Sequence, residues 1–395
     1  MNLRRMRKNH ALLFGALGMG ALALTCAGGA VAAVQGQCSN CHTMHASQDN
    51  QAMGSGPFDV LLLFDCLGCH TGTNRPAGTD PGGTVAPSNA PGVLDTVDPF
   101  AADTFLAGGN FYSVEQGNDA HGHNVKVLPN GHTDGDLGNI PPGYDGTTPT
   151  VAALESPFLS CGGATGCHGD LTVSRAESEA QSFAAIAGAH HGQTGVVDGS
   201  TVGQSFRFLL GMPGGEDDDY EFTTSASDHN IYPGKARTVD SDIADGGDGA
   251  LTMSGLCAKC HANFHNSSPA GTSTGIEGSG WGNPWIRHPT DFDFSGLGGE
   301  YAVNMDVYNP LVPVGRDIDA VGAGNFQGLV GSADQATNIG ATGGNIVICL
   351  SCHRAHGSQY DDILRWDYKD MVAGAPTGGM ADNGCFYCHA TKDGA

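Results

Sequence analysis

Cys38-Ser39-Asn40-Cys41-His42-Thr43-Met44-His45 is the stretch from which the rest of the chain is read. Two cysteines stand two residues apart, a histidine follows the second, and another histidine comes three positions later. Cys-x-x-Cys-His is the attachment signature of c-type haem. The two thiols add to the vinyl groups, and the adjacent histidine becomes an axial iron ligand. The second histidine is equally informative. Side chains three apart on a tight turn share a face and lie about 5–6 Å from one another. His45 therefore cannot reach the far side of a porphyrin held by His42. As a ligand it must serve the iron of another haem, so that one short stretch clamps two haems together.

The motif recurs as Cys66/Cys69/His70, Cys257/Cys260/His261, Cys349/Cys352/His353 and Cys385/Cys388/His389. A stretched copy, Cys161/Cys167/His168, has five residues between the thiols. The six sites take twelve of the 13 cysteines. Zinc ribbons, redox dithiols and disulfides also place cysteines in pairs, but none of them needs a histidine after the second. With 17 histidines in 395 residues, six such coincidences have a chance on the order of 10⁻⁸ at this composition.

Residues 1–33 read as a signal peptide. Arg4, Arg5, Arg7 and Lys8 form a basic start, an apolar run from Ala11 to Leu24 follows, and Ala30-Val31-Ala32 fits a cleavage site. Cys26, the cysteine without a motif, goes with it. No later run is apolar for long enough to span a bilayer. Export suits thioether attachment and predicts a periplasmic or extracellular, cell-surface protein. The remainder, 34–395, reads as one hexahaem domain. It has 62 glycines and 7 % aromatic residues in the whole chain, too little apolar side chain to offset the entropy of folding by itself. Six covalently held apolar discs supply the missing core. The fold expected is mostly irregular coil with short α-helices and few strands, wrapped round a stacked chain of haems.

Outside the leader, 13 Lys and Arg face 41 Asp and Glu. Nucleic acid and anionic membranes are excluded as partners. Other cytochromes and extracellular electron acceptors such as metal oxides fit better. The run Glu216-Asp217-Asp218-Asp219-Tyr220-Glu221 offers oxygens to Ca²⁺ without the spacing of a defined calcium loop. A solvated acidic loop is the expectation there.

Local signals are few. Ser174-Arg175-Ala176-Glu177 is a capping box, predicting a helix through Phe183 and Ile186 to Gly188 that presents His190 and His191. Asp361 to Met371 reads as a helix with acids at its start. Segments rich in Gly, Ser, Thr and Pro around 71–110, 192–204 and 268–280 read as loops.

Ten histidines remain for second ligands: His45, His121, His123, His132, His190, His191, His229, His265, His288 and His356. Ten exceeds six, so every iron can be bis-histidine. His356 follows His353 by three positions and His265 follows His261 by four, so each points to a neighbouring haem, as His45 does. Bis-histidine iron has no open position for a substrate, which favours electron transfer over catalysis.

The stretches 38–47, GHNV (122–125), MSGLCAKCHANFHNS (253–267), IRHP (286–289) and NIVICLSCHRAHGS (345–358) resemble the hexahaem outer-surface c-type cytochromes that polymerise into nanowire filaments. The resemblance implies bis-histidine ligation throughout and a continuous haem chain. It makes His45 the ligand of a haem in the next subunit of a head-to-tail filament. It makes His123, His265, His288 and His356 distal ligands within the subunit. The third site departs from the family pattern. Gly169-Asp170 follows His168 where the family has a second histidine nearby, and His190 or His191 is expected to supply the missing ligand, with His229 and His132 in reserve. Two other functions fit the same motifs: a discrete electron carrier that never polymerises, and a multihaem reductase with one vacant axial position.

Overall fold

The structure, a computed structural model, describes residues 38, 42–45, 47–48, 51–52, 61–62, 65–71, 91–130, 134–138, 140–143, 159–173, 182–191, 196–237, 252–261, 288–295, 307–336, 343–373 and 384–390. Regular elements among them are short. The helices are α1 (Cys66–Cys69), α2 (Tyr112–Glu115), α3 (Ser182–Ala185), α4 (Met253–Ala258), α5 (Ile318–Val321) and α6 (Cys385–Cys388). The strands are β1 (Ser47–Gln48), antiparallel to β2 (Gln51–Ala52), and β3 (Tyr232–Gly234), parallel to β4 (Gly315–Asp317). Three-residue turns, one seven-residue 3₁₀ stretch (Ala323–Leu329), isolated bridges and coil make up the rest of the described residues, in line with the coil-rich fold expected from the glycine content. No described helix is long and apolar enough to cross a membrane.

Helices this short do not persist by propensity; local caps start them and the packing of the motifs holds them. The Asp65 carboxylate accepts from the Gly68 N–H at 2.9 Å to open α1, and the Thr252 hydroxyl accepts from Gly255 at 3.1 Å to open α4. Asp317 caps α5 through the N–H groups of Asp319 and Ala320, and Gly322, at φ 78°, ends it.

The apolar core is split into small clusters, and several gather at motif residues. One joins Val197, Phe206, Leu209, Met212, Tyr232 and Ile346 to Cys167. Another packs Val312, Trp366 and Tyr387 on Cys352, Cys385 and Cys388. A third contains Leu67, inside the second motif, with Leu94, Phe111 and Val114.

Two expected helices differ from what forms. Of the helix predicted over 174–188, the described part is the single turn α3, followed by a tight turn over Ala189–His191; the capping box lies outside the described residues. Over 361–371 there is no helix. Two three-residue turns, Asp361–Ile363 and Tyr368–Asp370, stand there instead, because Asp362 (φ 57°) and Ile363 (φ 53°) sit in the left-handed region that a helix excludes.

The acidic run also departs from the solvated loop expected. Asp217 and Glu221 are buried. An Asp217 oxygen accepts from the N–H groups of Asp219 and Glu221, and Asp219 accepts from Phe222 and Thr223. Backbone N–H groups have taken the oxygens that a cation would need. No cluster of three or more His, Cys, Asp or Glu side chains shaped for a metal ion occurs among the described residues.

Candidate haem sites

One backbone bond builds every motif. The histidine N–H donates to the carbonyl of the first cysteine in His42→Cys38 (2.8 Å), His70→Cys66 (2.9 Å), His261→Cys257 (3.0 Å), His353→Cys349 (3.0 Å) and His389→Cys385 (2.9 Å). This is one α-type turn, and it sets both thiols and the imidazole around a common rim. The stretched site makes the same bond: His168 N–H donates to the Cys161 carbonyl at 2.9 Å. Its extra residues fold back on themselves, closed by Gly166→Gly163 and Gly163→His168 bonds at 2.9 and 3.1 Å and by a Ser160–Thr165 hydroxyl contact at 2.9 Å. Gly163 permits this with φ 79°, and a Cβ on Gly166 would press on the Ser160 carbonyl. Five intervening residues thus give the same geometry as two. Among the described residues no disulfide joins the motif cysteines.

The imidazoles then meet in pairs. Ring centroids are 6.2 Å apart for His70 and His190, 6.1 Å for His168 and His356, 6.4 Å for His123 and His261, and 6.2 Å for His288 and His389. A metal–imidazole bond is about 2 Å, so with half a ring on each side two imidazoles on one iron have centroids about 6 Å apart. Four of the six proximal histidines therefore face a second histidine at the spacing that one metal requires.

Second interactions fix the tautomers. Nδ1 donates to a backbone carbonyl in His70 (Pro91, 2.9 Å), His168 (Arg207, 2.8 Å), His123 (Ala355, 2.7 Å), His261 (Pro142, 2.8 Å), His288 (Pro289, 2.8 Å) and His353 (Asp362, 2.8 Å). Each bond leaves Nε2 as the lone-pair donor, the arrangement of a metal-ligating histidine. Burial holds the His70 and His168 imidazoles below their ordinary range. Burial with neighbouring imidazoles brings His123 to about 4 and His356 to about 3. All four are neutral near pH 7, as ligation needs.

Some acceptors are held under strain. Arg207 (φ 49°) and Phe208 (φ 59°) are left-handed; the Arg207 carbonyl takes His168 Nδ1, and the Phe208 carbonyl takes the Gly169 N–H at 2.6 Å. At the fifth site Asp362 and Ile363 repeat this, with the Ile363 carbonyl taking the Arg354 N–H at 2.9 Å. At the first, Leu61 (φ 58°) takes the Thr43 N–H at 2.8 Å. Non-glycine residues cost about 1–3 kcal/mol each in such conformations and cluster at functional sites.

The attachment points run in file. The Cys257 thiol hydrogen-bonds Cys349, which with burial pushes it well up; Cys167 lies beside Lys259 and Cys260, and Cys352 beside Cys385 and Cys388.

The pairing corrects one expectation. His190 faces His70 of the second site, not His168 of the third, whose partner is His356. His356 reaches that position because its N–H donates to the Gly108 carbonyl at 2.7 Å and Asn110 donates to Gly357 at 3.1 Å. His123 and His288 pair with proximal histidines, as the resemblance implies. His229, held in reserve, is fully engaged: Nδ1 donates to the Asn230 carbonyl at 2.7 Å, Nε2 lies 3.0 Å from the Gln335 carbonyl, and the ring stacks on Tyr308 at 3.4 Å. His121 Nε2 is engaged by Asp361 at 3.1 Å. His45 is exposed beside Met44, itself 76 % exposed. Cys41, His132 and His265 lie outside the described residues, as does the side chain of His191.

A signal in the sequence foreshadows the pairing. His42-x-x-His45-Ala46-Ser47-Gln48 matches His353-x-x-His356-Gly357-Ser358-Gln359. Further on, Asp59-Val60-Leu61-Leu62-Leu63-Phe64-Asp65 matches Asp361-Asp362-Ile363-Leu364-Arg365-Trp366-Asp367. The first and fifth sites are copies of one unit.

Thiol pairs closed on a following histidine, strung along a coil framework and faced by second imidazoles, define a multihaem c-type cytochrome. Residues 341–394, which carry the last two sites, match the family model for the doubled CXXCH motif. The chain is similar in structure to the outer membrane cytochrome S filament from Geobacter sulfurreducens, at 20 % identity over 89 % of this chain and 88 % of that one, with a TM-score of 0.42. It is similar also to a second structure, the OmcS nanowires from Geobacter sulfurreducens, at 19 % identity over the same shares, with a TM-score of 0.39. The class rests on the motifs and the paired histidines. No curated protein sequence matches the chain.

Proposed function

We propose that this exported, extracellular cytochrome carries six covalent haems, each bis-histidine, and passes electrons along them as one subunit of a head-to-tail filament. The four imidazole pairs at 6.1–6.4 Å carry the proposal. Haem iron cycling between ferric and ferrous forms supplies the redox chemistry. With haem bound, the paired imidazoles would take both sides of each iron, and backbone carbonyls hold Nδ1 of His70, His123, His168, His261, His288 and His353. Filled axial positions leave no place for a substrate, which favours electron transfer over the reductase alternative.

The internal repeat supports the filament over a discrete carrier. His356, in the unit holding the fifth site, faces the odd-numbered site of the preceding pair, His168. His45 occupies the same place in the first unit, and no pair precedes it in its own chain. The corresponding odd-numbered site is His353 of another copy, and His353 faces no second imidazole among the described residues. Repetition of the internal relation thus joins His45 of one subunit to the fifth site of the next, leaving His265 for the first site. Metal oxides and partner cytochromes suit the acidic surface as electron acceptors.

Intact mass and a pyridine haemochrome assay should give six haems, all low-spin by electron paramagnetic resonance. His356→Ala and His190→Ala should each turn one haem high-spin without loss of attachment, at the third and second sites respectively. Five haems, or an unchanged spectrum in both variants, would sink the ligation scheme.

A further inference from the structure

Two of the scarce cations are buried side by side at the fifth site. Arg354 and Arg365 are each 8 % exposed. Their N–H groups donate to Ile363 and Cys352, both at 2.9 Å, on the rungs flanking the His353–Leu364 bridge. Arg365 Nε donates to the Leu350 carbonyl at 2.6 Å and to the carbonyl of His353, the proximal histidine itself, at 3.2 Å. Arg354 Nη1 donates to the Ala107 carbonyl at 3.1 Å, with its guanidinium carbon 4.4 Å from the centre of the Phe105 ring.

All these acceptors are neutral. Among the described residues neither arginine forms an ion pair with a carboxylate. Glu221, whose charge reaches Arg354, has its oxygens taken by the Asn230 N–H and the Tyr232 hydroxyl. Two like charges are costly to bury without a counter-charge. The equivalent sites lack them: the corresponding positions are Thr43 and Leu63 at the first site, and Gly169 and Leu210 at the third.

We infer that Arg354 and Arg365 raise the reduction potential of the haem held by Cys349, Cys352 and His353, making it the most readily reduced of the three equivalent sites. The inference rests on haem binding there as proposed above. Reduction takes one electron from a neighbouring haem, makes and breaks no bond, and lowers the positive charge at the iron by one. Fixed cations favour that product, and burial beside Arg365, which lowers Arg354 to about 9, still leaves it charged near pH 7. One charge at about 10 Å and an effective dielectric of about 20 changes such an equilibrium on the order of tenfold. The fifth site is also the one that His45 of the next copy completes, so the most readily reduced site lies at each junction.

The test is a spectroelectrochemical titration of the whole protein and of R354Q, R365Q and R365K, each checked first for haem content by intact mass and for low-spin iron. In both glutamine variants one haem's share of the absorbance, a sixth of the total, should move to lower potential by about tenfold in its reduction equilibrium, about 59 mV for a one-electron couple. R365K keeps the charge while losing the planar fork, and should stay close to the wild type. Superimposable curves for the wild type, R354Q and R365Q at full haem content would overturn the inference, as would R365K moving as far as R365Q. Fewer than six haems in the wild type, seen by mass before any titration, would instead overturn the six-site scheme.

Discussion

His229 illustrates how a buried histidine in a histidine-rich cytochrome is told apart from a ligand. Both its nitrogens face carbonyl oxygens, and its ring lies parallel to Tyr308. Neither nitrogen faces space that an iron could occupy. His229→Ala should keep every haem low-spin while losing a hydrogen bond and a stacked ring, a cost of about 2–4 kcal/mol. A high-spin signal in that variant would return His229 to the ligand list. Asp95 gives the fold a pH dependence beside the second site. It is buried, one oxygen accepts from Asn110 Nδ2 at 3.2 Å, and burial raises its carboxyl from 3.8 to about 7. The folded chain thus binds a proton that the unfolded chain has released between those values. Stability from this group is present below about 3.8 and falls as pH rises towards 7. Asp95→Asn should flatten the Tm-against-pH curve between pH 4 and pH 7, and an unaltered slope would refute the assignment.

Elements here are turns rather than helices, and their sequence signals are correspondingly local. The motif turns were legible because their spacing is chemical: thiol, thiol and imidazole must meet one rim. The stretched third site was legible for the same reason, since its glycines let five residues close the bond that two close elsewhere. The helix expected over 361–371 was not. Its periodicity was sound, but Asp362 and Ile363 turn left-handed to aim a carbonyl at His353 Nδ1, and a tertiary demand of that kind leaves no mark on propensity. The partner of His168 was missed because His356 lies 188 positions away and reaches it through a loop-to-loop contact. Gly109 makes that contact. At φ 81° it runs against Gly357, and a Cβ there would collide with the Gly357 carbonyl. Gly109→Ala should cost more than about 2 kcal/mol by combining strain with overlap, and should give a high-spin fraction at the third site as His356 is displaced. Retention of wild-type Tm and a fully low-spin spectrum would show that the loop does not position the ligand.

At the scale of the whole molecule, charge and coordination oppose each other. The full chain carries −24. Copies therefore repel until they meet, and salt screens that repulsion within about 8 Å at physiological strength. A head-to-tail contact whose rotation does not close builds an open filament, and in the proposed filament His45 would make such a contact. In the proposed filament one coordinate bond per junction would set the register, and His45 is exposed. Filament length should rise as ionic strength increases from low values, because screening removes repulsion without touching the iron–imidazole bond. His45→Ala should keep six covalent haems, turn the fifth-site haem high-spin, and give monomers or short fragments by electron microscopy at every salt concentration. Supplying free imidazole to that variant should restore the low-spin spectrum but not the filaments, which separates loss of a ligand from loss of the link. Long filaments from His45→Ala would transfer the junction to some other surface, and wild-type protein that stays monomeric at high concentration and high salt would leave the discrete carrier as the function.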